Sequence, residues 1–134
     1  MRHIPTVAGI ILGLLFIMAA VVVLFHLPTP PQPAMKAAAE HFMTALGTTP
    51  YLTFVKVLEL LGGILVAIPR FRNIGLLILG PIIVNIIAFH AFLGDTKNLF
   101  DPMMIVIVLL AVYLLWVERK AWAGLVRRSE AEIR

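Results

Sequence analysis

A small set of polar side chains lies within or beside long apolar runs of the sequence, where such groups are costly and therefore informative. They are Lys56, Glu59, Asn85, His90, His26 and His41. Lys56 and Glu59 are three residues apart, so on a helix their side chains are close enough to form an ion pair. Carboxylate and imidazole groups can exchange protons with a bound molecule, so this set is a candidate for proton transfer or ligand binding.

The composition identifies the solvent that surrounds these groups. The chain has 134 residues, of which 61% are apolar and 13% are charged. A soluble domain carries about 25% Asp, Glu, Lys and Arg, so this chain has too few charges to cover its own surface. A soluble enzyme, a nucleic-acid binder and a disordered chain are excluded, and we predict a single membrane domain over residues 1–134. Cysteine is absent, which excludes disulfides, thiolate metal sites and iron–sulfur clusters within this chain.

Four apolar runs are predicted to cross the membrane as helices, since about 20 apolar residues span the hydrocarbon core. They cover approximately residues 4–27, 51–68, 74–93 and 103–117. The first run is longer than the apolar region of about 7–15 residues in a signal peptide, so we interpret it as a retained span. The fourth run is short and is expected to continue as a helix into the basic tail, residues 118–134. The predicted fold is therefore an all-α, polytopic membrane protein with a bundle of four transmembrane helices.

With four spans, the positive charges predict the orientation of the chain. Eight of the eleven Lys and Arg residues fall on the side that holds both termini and the turn between the second and third spans. They are Arg2, Arg70, Arg72, Arg119, Lys120, Arg127, Arg128 and Arg134. Because Lys and Arg concentrate in cytoplasmic loops, both termini are predicted to be cytoplasmic. Tyr113, Trp116 and Trp122 are expected to form an aromatic belt at the inner interface.

The segment between the first two spans, residues 34–46, carries apolar residues near helical spacing. They are Met35, Ala38, Phe42 and Leu46. We therefore expect a short helix that lies on the outer bilayer surface or folds over the bundle.

Two pairs of glycines indicate where helices can approach one another closely. Gly9 and Gly13 form a GxxxG pattern in the first span, which favours close helix contact. Gly62 and Gly63 follow Glu59 by one turn and remove side-chain bulk, so a neighbouring helix or a ligand can come close there.

The polar groups are predicted to fall in the outer half of the bundle. At about 1.5 Å per residue, Glu59 and Asn85 each lie about 12 Å below the outer end of their span. The residues predicted to bind a ligand around an outward-opening cavity are Lys56, Glu59, Gly63, Asn85, His90 and His26. The alternatives are that Lys56 extends to the surface, that Asn85 joins two helices, and that the histidines lie among headgroups.

Three stretches of the chain resemble the DoxX family. They are residues 56–63 (KVLELLGG), Arg70-Phe71 and residues 81–93 (PIIVNIIAFHAFL), and the opening Met1-Arg-His-Ile-Pro5 with its long first span is also similar. The residues that match the family pattern are Glu59, Gly62, Gly63, Pro81, Asn85 and His90. The resemblance covers nearly the whole chain and implies a small four-helix protein of the bacterial inner membrane. It also implies an association with quinone-linked or oxidative-stress redox assemblies, although many members of the family have no assigned activity.

The resemblance leads to a first hypothesis, an accessory subunit of a redox assembly in which Glu59 and His90 contact the carbonyl of a quinone. A haem held by His26 and His90, or a metal held by these two with His41 and Glu59, is less favoured because no motif requires it. The second hypothesis is a non-catalytic binder of a lipid or other small amphiphile, or an assembly factor. The third is a purely structural module, and no residue pattern identifies a reaction. Membrane lipid is the predicted partner, and we expect a homo-oligomer or a subunit of a membrane complex.

Overall fold

The structure is a computed structural model that describes residues 3–30, 34–94 and 96–124. Within these ranges the fold is all-helical and contains no strand. The α-helices are α1 (His3–Leu24), α2 (Ala37–Gly47), α3 (Tyr51–Ala67), α4 (Arg72–Ala88) and α5 (Pro102–Val117). Short 3₁₀ turns cover Pro69–Phe71 and Thr96–Phe100, a π-helix covers Phe89–Leu93, and residues 119–124 are also helical. Residues 1, 2, 31–33 and 95 lie outside the described residues, as does the basic tail from residue 125 with Arg127, Arg128 and Arg134.

The helices agree with the predicted apolar runs at most of their ends. The first prediction placed the end of the run at Leu27, whereas α1 ends at Leu24. The reason is a C-terminal cap. In this cap the backbone N–H of Leu27 donates to the carbonyl oxygen of Val22, and the backbone N–H of His26 donates to the carbonyl oxygen of Val23. His26 closes this cap in the left-handed conformation, with φ of 53°.

Two helical stretches of the described residues are long and apolar enough to cross a membrane. They are His3–Leu24, with 22 residues, and Pro69–Leu93, with 25. The pair formed by α2 and α3 is bent by 84° at its break and makes a third candidate if it counts as one span. The 16 residues of α5 are apolar but fall short of this length. The all-helical fold is compatible with a membrane location.

Helices α1 and α3 run antiparallel and touch through glycines. A Cβ atom added at Gly63 would lie 2.8 Å from the carbonyl oxygen of Gly13, and one added at Gly13 would collide with the carbonyl oxygen of Gly63. A Cβ at Gly9 would lie 2.7 Å from the carbonyl oxygen of Val66. The GxxxG pattern of the first span thus brings two backbones together, as small residues do in helix pairs within membranes.

A close glycine contact also joins α3 to α4, because a Cβ at Gly75 would collide with the backbone nitrogen of Val66.

Around these contacts lies one apolar core with residues from α1, α3, α4 and α5. Its members are Ala8, Leu12, Phe16, Val66, Leu76, Leu79, Ile83, Ala111 and Leu114. Tyr113 and Trp122 are partly buried against this core, whereas Trp116 is exposed and carries the Arg119 guanidinium 4.1 Å from its ring centroid.

The ends of α4 and α5 are joined by a long-range ion pair. Arg72 Nη1 donates to Glu118 Oε1 at 3.1 Å, and Arg72 is buried. The sequence predicted Arg72 only as one of the charges that set the orientation. Its buried position also links the start of α4 to the segment that follows α5.

Candidate functional site

A cleft of about 560 Å³ opens between α2, the first half of α3 and the middle of α4. The residues that line it are Phe42, Ala45, Leu46, Thr49, Tyr51, Phe54, Val55, Leu58, Pro81, Ile82 and Asn85. Most of these side chains are apolar, and the polar groups are the Thr49 and Tyr51 hydroxyls and the Asn85 amide. Its volume and its mostly apolar lining are typical of a site for a small molecule.

The wall contributed by α3 follows from helical spacing. Tyr51, Phe54, Val55 and Leu58 recur at intervals of three and four residues, so they share one face of the helix. Because these residues face the cleft, the remaining faces of α3 are free to contact α1 and α4.

The outer wall is α2, which turns sharply into α3. At the bend, the hydroxyl of Thr48 donates to the carbonyl oxygen of Thr44 at 2.8 Å, and that of Thr49 donates to Ala45 at 2.9 Å. These bonds occupy carbonyl groups that the end of a helix leaves without backbone partners. The bend therefore places Phe42, Ala45 and Leu46 across the cleft from α3.

An aromatic contact joins α2 to the π-helix at the end of α4. The rings of Phe42 and Phe89 are 5.5 Å apart between centroids, and Phe89 meets the His90 ring edge-on at 5.2 Å. Such aromatic pairs contribute about 0.5–1.5 kcal/mol beyond the area they bury. Phe42 thus both lines the cleft and holds α2 against α4.

Of the residues predicted to bind a ligand, Asn85 is the one that lines this cleft. It is exposed, and its side-chain amide forms no hydrogen bond with the described residues. The amide is therefore open to the cleft, and its donor and acceptor are available to a bound group.

Lys56 and Glu59 form the predicted ion pair, but they lie away from the cleft. Lys56 Nζ is 3.0 Å from Glu59 Oε2, and Glu59 is only 3% exposed. Glu59 is one turn from Gly63 on α3, and Gly63 touches α1. The antiparallel register puts Glu59 level with the fully buried Ala20 of α1. The pair and Gly63 therefore belong to a helix contact.

The three histidines do not form a common site with Glu59. His26 is exposed and closes the cap of α1, and His41 is exposed on α2. His90 lies in the π-helix, where its Nδ1 atom is buried and has no hydrogen-bond partner among the described residues. No group of three or more His, Asp or Glu side chains able to hold a metal ion occurs in the part of the chain that the structure describes.

Sequence reasoning missed most of the cleft, since apolar positions such as Phe54, Leu58 and Ile82 look like ordinary membrane-facing residues. The available signal was the short helix predicted before the second span, because its apolar face indicated that it packs against the membrane surface or the bundle.

Comparison of the chain with known protein families, curated proteins and solved structures finds no match.

Proposed function

We propose that this chain is a four-span membrane protein whose outer cleft binds a single small amphiphile without chemical change. The observation that carries the proposal is the cleft of about 560 Å³, with apolar walls on α2, α3 and α4 and one unpaired amide, Asn85. An apolar wall suits a hydrocarbon chain, and a few polar groups within it, among them the Asn85 amide, orient the ligand's head.

The separation of the polar groups favours binding over catalysis. Glu59 is occupied by Lys56 at the contact between α1 and α3, so it is not available to a molecule in the cleft. His90 does not line the cleft either. A catalytic acid or base must lie within hydrogen-bond reach of the reacting atoms, and neither residue is placed there.

The four-span topology is part of the proposal. In this topology α1 and α4 with its π-helix each cross the bilayer, and α3 and α5 complete the bundle as shorter spans. Their 17 and 16 residues extend about 24–26 Å at 1.5 Å per residue, which suits a bilayer that thins locally around a short helix. With this topology, the excess of Lys and Arg on one side supports cytoplasmic termini. The resemblance to the DoxX family supports a bacterial inner membrane.

A narrower form of the proposal follows from the resemblance to the DoxX family. There the amphiphile is a quinone, and the chain is an accessory subunit of a quinone-linked or oxidative-stress redox assembly. The Asn85 amide supports this form, because it can donate a hydrogen bond to a quinone carbonyl.

The binding proposal is tested by native mass spectrometry of the protein after gentle solubilisation from its membrane. We expect the wild type to retain a mass of lipid size. The variant Ala45→Trp should lose that mass, because the indole would fill the cleft that Ala45 lines. The matched control is Ala38→Trp, an exposed position on the same helix that does not line the cleft. Equal occupancy in wild type and Ala45→Trp, or a bare wild type, would refute the proposal.

The topology is tested with single cysteines, which is straightforward because the chain has none of its own. In intact cells, a membrane-impermeant maleimide should label Lys36→Cys and leave Lys120→Cys unlabelled. Labelling of both positions from outside, or of Lys120→Cys alone, would contradict the four-span arrangement.

A further inference from the structure

The lining of the cleft has a chemical property that restricts its ligand. Among the described residues that line it, none carries a charged side chain. The nearest charges along α3 are Lys56 and Glu59, which neutralise each other at 3.0 Å and lie on a different face from the cleft-lining Val55 and Leu58.

A phosphate headgroup needs positively charged or multiple N–H donors, and the lining of the cleft has no positively charged side chain. Proteins bind phosphate with Arg or Lys side chains or with several backbone N–H groups. Moving an anion away from water without such partners is very costly. The cleft therefore selects against phospholipid headgroups.

Of the two hydroxyl groups in the lining, that of Thr49 is already engaged, whereas that of the exposed Tyr51 forms no hydrogen bond with the described residues. Thr49 Oγ1 donates to the carbonyl oxygen of Ala45 and accepts from the backbone N–H of Tyr51 at 3.4 Å. The Asn85 amide differs from the Thr49 hydroxyl, because it offers both a donor and an acceptor and neither is used by the described residues. An uncharged carbonyl or hydroxyl group is the partner that such an amide accepts.

From these observations we propose that the cleft selects an amphiphile with an uncharged, hydrogen-bonding headgroup, and that Asn85 is the residue that recognises this headgroup. The inference rests on the proposed function, since it specifies the ligand class of the same cleft. The hydrocarbon part of the ligand lies against Leu58, Pro81 and Ile82. Two sources offer this chemistry, a neutral acylglycerol and a quinone.

The test uses delipidated protein and three probes added separately at equal concentration, with binding measured by native mass spectrometry. The probes are 1,2-dioleoylglycerol, decylubiquinone and the anionic dioleoylphosphatidylglycerol. We expect at least one neutral probe to bind about tenfold more tightly than the anionic one, and Ala45→Trp to abolish that binding. The neutral probe that binds more tightly identifies the source.

The role of Asn85 is tested in the same assay. Asn85→Leu removes the amide and keeps the number and branching of the side-chain heavy atoms, and it should weaken binding of the neutral probe about tenfold. Asn85→Gln keeps the amide and should recover part of the affinity, whereas the neighbouring control Val84→Leu, on an exposed position outside the lining, should change nothing.

The outcomes separate the two proposals. If the anionic probe binds as tightly as the neutral ones and Ala45→Trp still blocks it, the selection for uncharged headgroups is wrong and the cleft remains a binding site. Unchanged affinity in Asn85→Leu refutes the role of Asn85. If no probe is sensitive to Ala45→Trp, the proposed function is wrong as well.

Discussion

The ion pair of Lys56 and Glu59 allows a quantitative prediction about what stabilises the bundle. At 3.0 Å and an effective dielectric constant of about 20, the attraction between the two charges is about 5.5 kcal/mol before the cost of desolvation. The Lys56 side chain is 18% exposed and that of Glu59 is 4% exposed, so removing the lysine leaves a buried carboxylate without its partner. Breaking such a pair costs about 3–5 kcal/mol, and partial exposure of Lys56 places the expected value near 3 kcal/mol.

The perturbation is therefore Lys56→Met, which keeps the length of the side chain and removes its charge. We expect the free energy of unfolding to fall by about 3 kcal/mol. The double variant Lys56→Met with Glu59→Leu should return to within about 1 kcal/mol of the wild type, because it leaves no unpaired charge.

The assay is equilibrium unfolding in mixed micelles, with SDS titrated into a mild detergent and unfolding followed by Trp fluorescence. Lys36→Met is the matched control, since Lys36 is exposed at the start of α2, and a change within about 0.5 kcal/mol is expected. If Lys56→Met costs less than 1 kcal/mol, or if the double variant is as unstable as the single one, the pair does not stabilise this helix contact as described.

Two further predictions concern backbone geometry and use the same unfolding assay. Gly63→Ala should cost about 1–3 kcal/mol, because the new methyl group would press on a backbone carbonyl of α1, whereas Gly80→Ala, with open space around its Cβ, should be neutral or stabilising by up to about 1 kcal/mol. A tolerated Gly63→Ala would show that α1 and α3 do not touch there. His26→Gly should stabilise the protein by about 0.5–1 kcal/mol, and His26→Val should destabilise it by about 1–2 kcal/mol, because His26 occupies the left-handed region in the cap of α1. Equal stability of these two variants would refute the role of His26 as a capping residue.

The helices were predictable because their signals are local. Apolar runs, the prolines at Pro50 and Pro102 and the capping Asp101, which accepts from the backbone N–H of Met103 at 3.3 Å, determine where helices begin. The ion pair of Lys56 with Glu59 was equally predictable, since three residues of helix bring the two side chains together.

The partners across the bundle were not predictable from these signals. Arg72 pairs with Glu118, 46 positions further along the chain, and no local pattern in the sequence distinguishes this arginine from the exposed Arg70. The GxxxG pattern predicted a close helix contact at Gly13, but it did not indicate that Gly63 is the partner. Tertiary packing alone decides which helix faces meet.

In the candidate site, too, some features follow from the sequence and others only from tertiary packing. The sequence by itself determined that Glu59 and Asn85 are polar residues within apolar runs, because residue type and position in a run do not depend on tertiary contacts. Only the tertiary structure decided that Glu59 is buried one turn from the contact of Gly63 with α1, while Asn85 lines a cleft between α2, α3 and α4. The physical reason is that an apolar helix has no polar face to orient it, so its rotation is set by the helices that pack against it.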